Sequence, residues 1–217
     1  MKLICLISSF FISLISLAQI RDAVYSPRIK TVQLFPSGNQ LGLPVLSLNG
    51  GERLELHFDD LDGNVKNYSY TFQLCNADWT PAMLSAFDYI KGFTQQRINT
   101  YRISSVAFTR YTHYQAVVPE NNIAPSRSGN YILRVFQNGD TANTIFTKRF
   151  LVVDNQANIT AQIQQPFNGE IFRTWQKILF QVNLSDRVQL SNHNQQIKTV
   201  ILQNNSWETA LLNVKPT

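Results

Sequence analysis

The chain has 217 residues and a formal net charge of +5 at neutral pH, from 19 Lys and Arg residues against 14 Asp and Glu residues. The basic residues are dispersed, whereas a nucleic-acid-binding surface needs them clustered, so the composition argues against nucleic acid as a partner. Of the two cysteines, Cys5 lies in an apolar N-terminal run, which leaves Cys75 without a disulfide partner in a mature chain and excludes a disulfide-stabilised scaffold.

The N-terminus, residues 1–18, predicts a secretory signal peptide. Lys2 supplies a positive charge, an apolar run follows over residues 3–17, and small residues at its end predict cleavage after Ala18. The run is shorter than the roughly 20 residues that cross a bilayer as a helix. We therefore expect an exported, soluble mature chain that begins at Gln19.

Period-two alternation then predicts β-strands. In residues 53–58 and again in residues 68–74, every even-numbered residue from Leu54 onward is apolar and the intervening residues are polar. An Asp- and Gly-rich stretch at 59–64 separates the two strands and predicts a turn. The second alternation places Cys75 on the polar side of its strand.

A second group of signals predicts a sandwich. The sequence Arg-Ser-Gly-Asn-Tyr ends at Tyr131 and precedes a predicted strand over 131–136, which is similar to the tyrosine corner of immunoglobulin-like domains. Leu133 stands where such domains often carry a disulfide cysteine, so a disulfide-free version is required. Asn138-Gly139 predicts a tight hairpin into residues 143–153. There the apolar residues expected to face inward are Phe146, Phe150 and Val152.

These patterns predict an all-β chain whose first domain, residues 22–154, is an immunoglobulin-like β-sandwich. Short strands are predicted again at 159–163, 178–182 and 197–202. The second segment, residues 157–217, is shorter than the ~100 residues of an immunoglobulin-like sandwich, and a half-sandwich would expose unpaired strand edges. We therefore expect the start of a second β-rich domain in a C-terminally truncated chain.

The sequence carries no recognisable catalytic spacing. It contains three histidines, His57, His113 and His193, and lacks the Gly-x-Ser-x-Gly nucleophile elbow. A thiol–imidazole pair of Cys75 and His113 would need two residues from separate predicted strands, and such residues are more often structural. We predict that the chain is not an enzyme and holds no cofactor.

Metal binding has one weak candidate. Asp59, Asp60 and Asp62 lie in a Gly-containing turn, and oxygen-rich turns of this kind can bind calcium. The glutamate that closes a twelve-residue calcium loop is missing. We interpret the segment as a β-turn between two strands and predict no metal site.

Aromatic residues are dense where the alternation stops. Trp79, Phe87, Tyr89 and Phe93 fall in a segment that is typical of a long structured loop lying against the sandwich. Aromatic side chains in such a loop pack it down, contact a partner protein or stack on a sugar. The sequence leaves these three alternatives open.

Several long stretches resemble the plug proteins of the type IX secretion system, and the resemblance covers roughly residues 22–217. They are LHFDDLDGNVKNYSYTFQLCNADW, FDYIKGFTQQRINTYRISS, TRYTHYQAVVP, RSGNY and KRFLVVDNQANITAQIQQPFN. The resemblance implies a non-catalytic periplasmic protein of a Gram-negative bacterium, many of which glide on surfaces. It also implies an N-terminal immunoglobulin-like domain followed by further β-rich sequence.

The resemblance further implies a partner and a role. Plug proteins associate with a very large outer-membrane β-barrel translocon and close its periplasmic opening when no cargo is passing, so contact with the membrane would be through the partner only. From local composition, the residues expected to form the partner-binding surface are Trp79, Phe87, Tyr89, Phe93, Arg97, Tyr101 and Arg102. The alternative reading is a carbohydrate- or peptidoglycan-binding β-sandwich module of a larger envelope protein.

Overall fold

A computed structural model describes residues 19–212 and residue 214. The predicted signal peptide, with its cleavage point after Ala18 and with Cys5, lies outside these residues. The chain divides into two compact units, Met1–Val152 and Val153–Thr217. Within the described ranges, no helix combines the length and apolar character that a membrane crossing requires.

From residue 19 onward, the first unit consists of strands and one short helix. In chain order they are β1 (Ala23–Val24), β2 (Ile29–Pro36), β3 (Val45–Ser47), β4 (Leu54–Asp60), β5 (Tyr68–Cys75), α1 (Ala86–Tyr89), β6 (Ile90–Gly92), β7 (Gln96–Arg97), β8 (Thr100–Ile103), β9 (Thr112–Val118), β10 (Ile123–Pro125), β11 (Gly129–Gln137) and β12 (Thr144–Val153). The prediction of an all-β chain is confirmed.

Two antiparallel sheets form a sandwich. One sheet has the order β2-β4-β9-β8, and the other has the order β1-β12-β11-β5-β7, with β3 also paired to β12. Strands β6 and β10 make a separate two-stranded ladder. The alternation in β4 is confirmed, because Leu54, Leu56 and Phe58 are buried and the residues between them are partly exposed. In β5 the even-numbered residues are buried as predicted, but Thr71 and Cys75 are buried as well.

Aromatic rings fill the space between the sheets. Phe58 stacks on Tyr114 with ring centroids 5.0 Å apart, and Tyr68 meets the same Tyr114 edge-on at 4.9 Å. Phe146 from the opposite sheet meets Phe58 at 5.0 Å. Such edge-to-face and stacked pairs add stabilisation beyond the burial of apolar area. The core therefore rests on packing, as the absence of an available disulfide requires.

The tyrosine corner is formed. The Tyr131 hydroxyl donates a hydrogen bond to the carbonyl oxygen of Arg127 at 2.9 Å, and burial raises the pKa of Tyr131 to about 12. The hairpin after β11 is longer than predicted, because β12 begins only at Thr144. Asn138 and Gly139 nevertheless adopt the left-handed conformation expected of an Asn-Gly turn, with φ of 57° and 73°. Phe146, Phe150 and Val152 are buried as predicted.

Replacing Tyr131 by phenylalanine is expected to lower the free energy of unfolding by about 1–2 kcal/mol, because the Arg127 carbonyl loses its donor while the ring stays in place. Urea unfolding followed by near-UV circular dichroism measures the change. Tyr101→Phe is the control, since its side chain is about half exposed and no comparable loss is expected. Equal stability of the two variants would mean that the corner contributes nothing.

The second unit is also β-rich. Its elements are β13 (Ala157–Gln164), β14 (Lys177–Leu184), α2 (His193–Gln196), β15 (Val200–Gln203) and β16 (Ser206–Leu212). Strands β13 and β14 pair in antiparallel fashion from Ala157 opposite Leu184 to Gln164 opposite Lys177. Strands β15 and β16 form a second antiparallel pair. The predicted strands at 159–163 and 178–182 lie inside β13 and β14, whereas β16 was not predicted.

Candidate interaction surface

The first unit exposes a concentration of large apolar side chains between residues 83 and 108. We call these eight residues the apolar rim: Met83, Leu84, Phe87, Phe93, Tyr101, Ile103, Val106 and Phe108. Phe108 and Val106 are fully or almost fully exposed, at 108% and 94%. Single exposed apolar residues are ordinary on a protein surface, whereas many within a short stretch of chain make that stretch a candidate interaction site.

The first half of the rim is held by the short helix α1. The backbone N–H of Ser85 donates to the Asp88 carboxylate at 3.0 Å, which fixes the start of the helix. Tyr89 and Ile90 are buried in the sandwich and anchor its end. Because a single helical turn directs neighbouring residues to different sides, burial of Tyr89 leaves Phe87 in solvent, at 80% exposure.

Gly92 positions Phe93 at the end of β6. Gly92 has a φ of 92°, and a Cβ atom built there would lie 2.2 Å from the backbone oxygen of Asn122. The same oxygen accepts a hydrogen bond from the N–H of Phe93 at 2.8 Å. This close approach requires glycine, and it holds the Phe93 side chain outward at 66% exposure.

The second half of the rim follows two sheet edges. Strand β7 ends one sheet and β8 ends the other. Because only Ile98 and Asn99 separate β7 from β8, both edges lie on the same side of the sandwich. Beyond β8, the N–H of Ser104 donates to the Tyr111 carbonyl at 2.9 Å, which closes the loop that carries Val106 and Phe108. An open depression of about 560 Å³ lies between β8 and this loop.

Two of the predicted partner-binding residues are buried and are thereby removed from the accessible surface. Trp79 is 4% exposed, and the guanidinium of Arg149 lies 4.5 Å from the centre of its ring. Trp79 also has a φ of 66° in a tight turn, which directs its side chain against the body. Tyr89 is 3% exposed, because it forms the inner anchor of α1 and lies 6.2 Å from the Tyr131 ring.

The other five predicted residues are exposed. Phe87, Phe93 and Tyr101 belong to the apolar rim, and Arg97 and Arg102 lie on the edge strands β7 and β8. Arg97 donates to the side-chain oxygen of Asn67, which orients its guanidinium. The rim residues that the sequence did not indicate are Met83, Leu84, Ile103, Val106 and Phe108. The only signal for the last two was an apolar pair in a stretch otherwise rich in Ser, Thr and Arg.

The three weak calcium candidates do not converge on a common point. The Asp59 carboxylate contacts His113, that of Asp60 contacts Lys66, and that of Asp62 contacts Lys66 and Arg28. Each carboxylate therefore has a side-chain partner in the protein, and for Asp60 and Asp62 that partner is a cation. Over residues 19–212 and 214, no three or more His, Cys, Asp or Glu side chains gather in an arrangement that could hold a metal ion.

Cys75 is buried, contrary to the polar-side assignment from alternation. The residue is 5% exposed, since the turn that follows β5 covers this face of the strand and Cys75 bridges to Pro81. Burial raises the pKa of the thiol to about 11. Cys75 belongs to the sheet that contains β5, whereas His113 belongs to the sheet that contains β9, so the two do not form a thiol–imidazole pair.

We expect Cys75 to react slowly with iodoacetamide in the folded protein. At pH 8 a thiol with this pKa is ionised to roughly one part in a thousand, and the thiolate is the reactive species. Mass spectrometry of the labelled protein with and without urea measures the difference. Labelling of the native protein as fast as that of the unfolded one would show that Cys75 is accessible.

A solved structure is similar to this chain over most of its length. A hypothetical protein from Parabacteroides merdae, whose crystal structure is solved, superposes with a TM-score of 0.83 at 28% sequence identity, over 92% of this chain and 50% of that chain. This chain therefore spans about half the length of that protein. The alkylpurine DNA glycosylase AlkC of Pseudomonas fluorescens superposes with a TM-score of only 0.31 at 14% identity, over 58% of this chain and 30% of that chain, and carries no weight.

A search of curated proteins gives no significant match. The family model for the first domain of the type 9 secretion system plug protein matches residues 29–154, which is more than half of the chain and includes β2 to β12. All strands of the sandwich except β1, together with the tyrosine corner and the apolar rim, lie within these residues. The chain therefore belongs to the type 9 secretion system plug protein family.

Proposed function

We propose that this protein binds the outer-membrane translocon of the type IX secretion system and seals its periplasmic opening when no cargo is in transit. Membership of the plug family supports a role in secretion and an interaction with a secretion component. The observation that carries the proposal further is the apolar rim, whose eight exposed apolar side chains all fall between residues 83 and 108 of the first unit. A protein that seals a channel reversibly needs a stable fold and a surface that binds the channel.

The rim has the composition of a reversible interface. Phe87, Phe93, Tyr101 and Phe108 supply aromatic anchors, the residue type that dominates binding energy in many interfaces. They are distributed over short elements rather than on one broad apolar face. Interfaces of moderate size with a few anchors bind specifically and still dissociate, which a plug that opens for cargo needs.

Cationic residues accompany these anchors. Lys91, Arg97 and Arg102 are exposed on β6, β7 and β8, and none of them forms an ion pair among the described contacts. Charges at the edge of an interface steer association and select partners more than they add affinity. We therefore expect acidic residues on the translocon surface that faces β8.

The proposal also includes a cellular location and a role for each of the two parts of the chain. The protein would be exported by a signal peptide cleaved after Ala18 and act in the periplasm, with the membrane contacted only through its partner. Residues 22–154 would form the plug domain, and residues 157–217 would begin a second β-rich domain. This chain spans about half the length of its solved relative, so the activity and partner of the whole protein stand here as proposals.

Affinity capture from detergent-solubilised envelopes distinguishes this function from the glycan-binding alternative. The full-length protein is expected to retain a large outer-membrane β-barrel protein and to show no retention on purified peptidoglycan. A variant with Arg97 and Arg102 changed to glutamate is expected to recover less of the barrel. Retention on peptidoglycan without recovery of any barrel protein would refute the proposal.

A further inference from the structure

A chain of four ionisable side chains crosses the outer face of the β2-β4-β9-β8 sheet. His57 Nδ1 lies 3.1 Å from His113 Nε2. The outer nitrogens of the two rings contact carboxylates: His113 Nδ1 lies 2.7 Å from Asp59 Oδ1, and His57 Nε2 lies 3.3 Å from Glu55 Oε2. Glu55, His57 and Asp59 alternate along β4, and His113 lies opposite Asp59 on β9.

The contacts of the two imidazoles determine which ring nitrogens carry protons. An ionised carboxylate only accepts hydrogen bonds, so the contacts to Asp59 and Glu55 need a proton on His113 Nδ1 and on His57 Nε2. If both imidazoles are neutral, each carries a single proton, and the inner nitrogens, His57 Nδ1 and His113 Nε2, present lone pairs to each other. Two facing lone pairs at 3.1 Å repel unless a cation lies between or beside them.

The surrounding residues hold this geometry in place. The ring of Phe35 stacks on that of His57 with centroids 5.3 Å apart and planes 9° apart, which fixes the imidazole plane. The Ser37 hydroxyl donates to Glu55 Oε1 at 2.6 Å, which holds this carboxyl in position beside His57. The side chains of His57 and His113 are 20% and 35% exposed, and small ions can therefore reach them.

We propose that His57 Nδ1 and His113 Nε2 bind a divalent transition-metal ion of the zinc type. Imidazole nitrogen is a preferred ligand of such ions, and ligating histidines commonly donate their other N–H to a carboxylate, as both rings do here. With Zn–N bonds of about 2.05 Å in tetrahedral geometry, two ligating nitrogens lie roughly 3.3 Å apart. His57 Nδ1 and His113 Nε2 lie 3.1 Å apart, so the two nitrogens need to separate only slightly to bind the ion.

The metal ion would keep coordination positions that the protein does not fill, unlike the ion of a structural zinc site. The protein supplies two ligands, fewer than the four of a structural zinc site, and the remaining positions fall to water or to a partner's side chain. Arg102 lies opposite His113 on β8 and Lys30 lies opposite Asp59 on β2, so cations flank the site on both sides. Arg102 and Lys30 repel the charge of the metal ion, whereas the carboxylates of Glu55 and Asp59 attract it. Because these effects partly cancel, we expect the affinity for the metal ion to be modest.

Isothermal titration of the tag-free protein with Zn²⁺ tests the site. The native protein is expected to bind one ion through a saturable site that His57→Gln or His113→Gln abolishes. Asp59→Asn is expected to weaken binding roughly 10- to 100-fold, because it removes the carboxylate that orients His113. His193→Gln changes the remaining histidine, which lies in the second unit, and is expected to leave binding unchanged.

Calcium is the matched control ion, since it prefers oxygen ligands and is expected to give no saturable heat. Circular dichroism of each variant without metal verifies that its fold is retained, and glutamine keeps hydrogen-bonding capacity at both positions. Should His57→Gln not fold, the His113→Gln and Asp59→Asn pair still decides the case. No binding by the native protein, or binding that persists in His113→Gln, would overturn the proposal and leave a shared proton between the rings.

Discussion

Replacing Asp60 by alanine is expected to destabilise the first unit by about 2–4 kcal/mol, because it removes the acceptor of a buried polar network. Asp60 is fully buried. Its carboxylate accepts a hydrogen bond from the Tyr68 hydroxyl at 2.9 Å and lies 2.9 Å from Lys66 Nζ. Burial, reinforced by this carboxylate, raises the pKa of Tyr68, so the phenol remains a donor at all ordinary pH values.

Variants of Asp60 and Asp62 distinguish the effect of losing a buried hydrogen-bond acceptor from the effect of losing a negative charge. Asp62 also pairs with Lys66 but is substantially exposed, so Asp62→Ala is expected to cost much less than Asp60→Ala. Asp60→Asn keeps an acceptor for Tyr68 while removing the charge and is expected to fall between the two. Urea unfolding monitored by near-UV circular dichroism measures all three. If Asp60→Ala and Asp62→Ala cost the same, the buried network is not what holds β4 and β5 together.

Aspartate at Phe87 and Phe108 together is expected to weaken binding to the translocon about 100-fold or more. Buried aromatic anchors at interfaces contribute about 2–4 kcal/mol each, and every 1.4 kcal/mol is a factor of ten in affinity. Both side chains are largely in solvent, at 80% and 108% exposure, so their replacement leaves the core of the free protein intact. Quantitative capture of the purified barrel by each variant measures the loss.

Phe167→Asp provides the matched control for this pair. Phe167 is 97% exposed, as Phe108 is, but it lies in the second unit. We expect it to bind the barrel as the native protein does. A loss of binding by Phe167→Asp equal to that of the double variant would place the interface outside the apolar rim, or spread it over both units.

The sequence predicts a strand correctly where one face is buried, because burial then makes apolar and polar residues alternate along the chain. The alternation in β4 and β5 is readable because each strand has one face in the core, and Tyr131 is readable because the corner needs its residues at fixed spacing. The sequence does not reveal that Trp79 and Tyr89 are buried, because an aperiodic segment does not show which aromatic side chain turns inward. For Trp79 that depends on a left-handed turn and on Arg149 from β12, a contact between residues distant in sequence.

The histidine pair illustrates a second limit of sequence reasoning. His57 and His113 each lie on the polar side of a strand, which on its own is typical of isolated surface residues. Only the antiparallel register of β4 and β9, with Asp59 opposite His113 and His57 opposite Gln115, places the two rings in contact. Register depends on pairing between distant segments and is not encoded in the local period of either strand.

Outer-membrane permeability tests the sealing function most directly. Cells that produce the Phe87→Asp, Phe108→Asp double variant in place of the native protein would contain a folded plug that binds the translocon poorly. We expect such cells to admit large hydrophilic solutes that cells with the native protein or with Phe167→Asp exclude. If the double variant and a complete deletion both exclude these solutes as the native cells do, the protein does not seal the translocon.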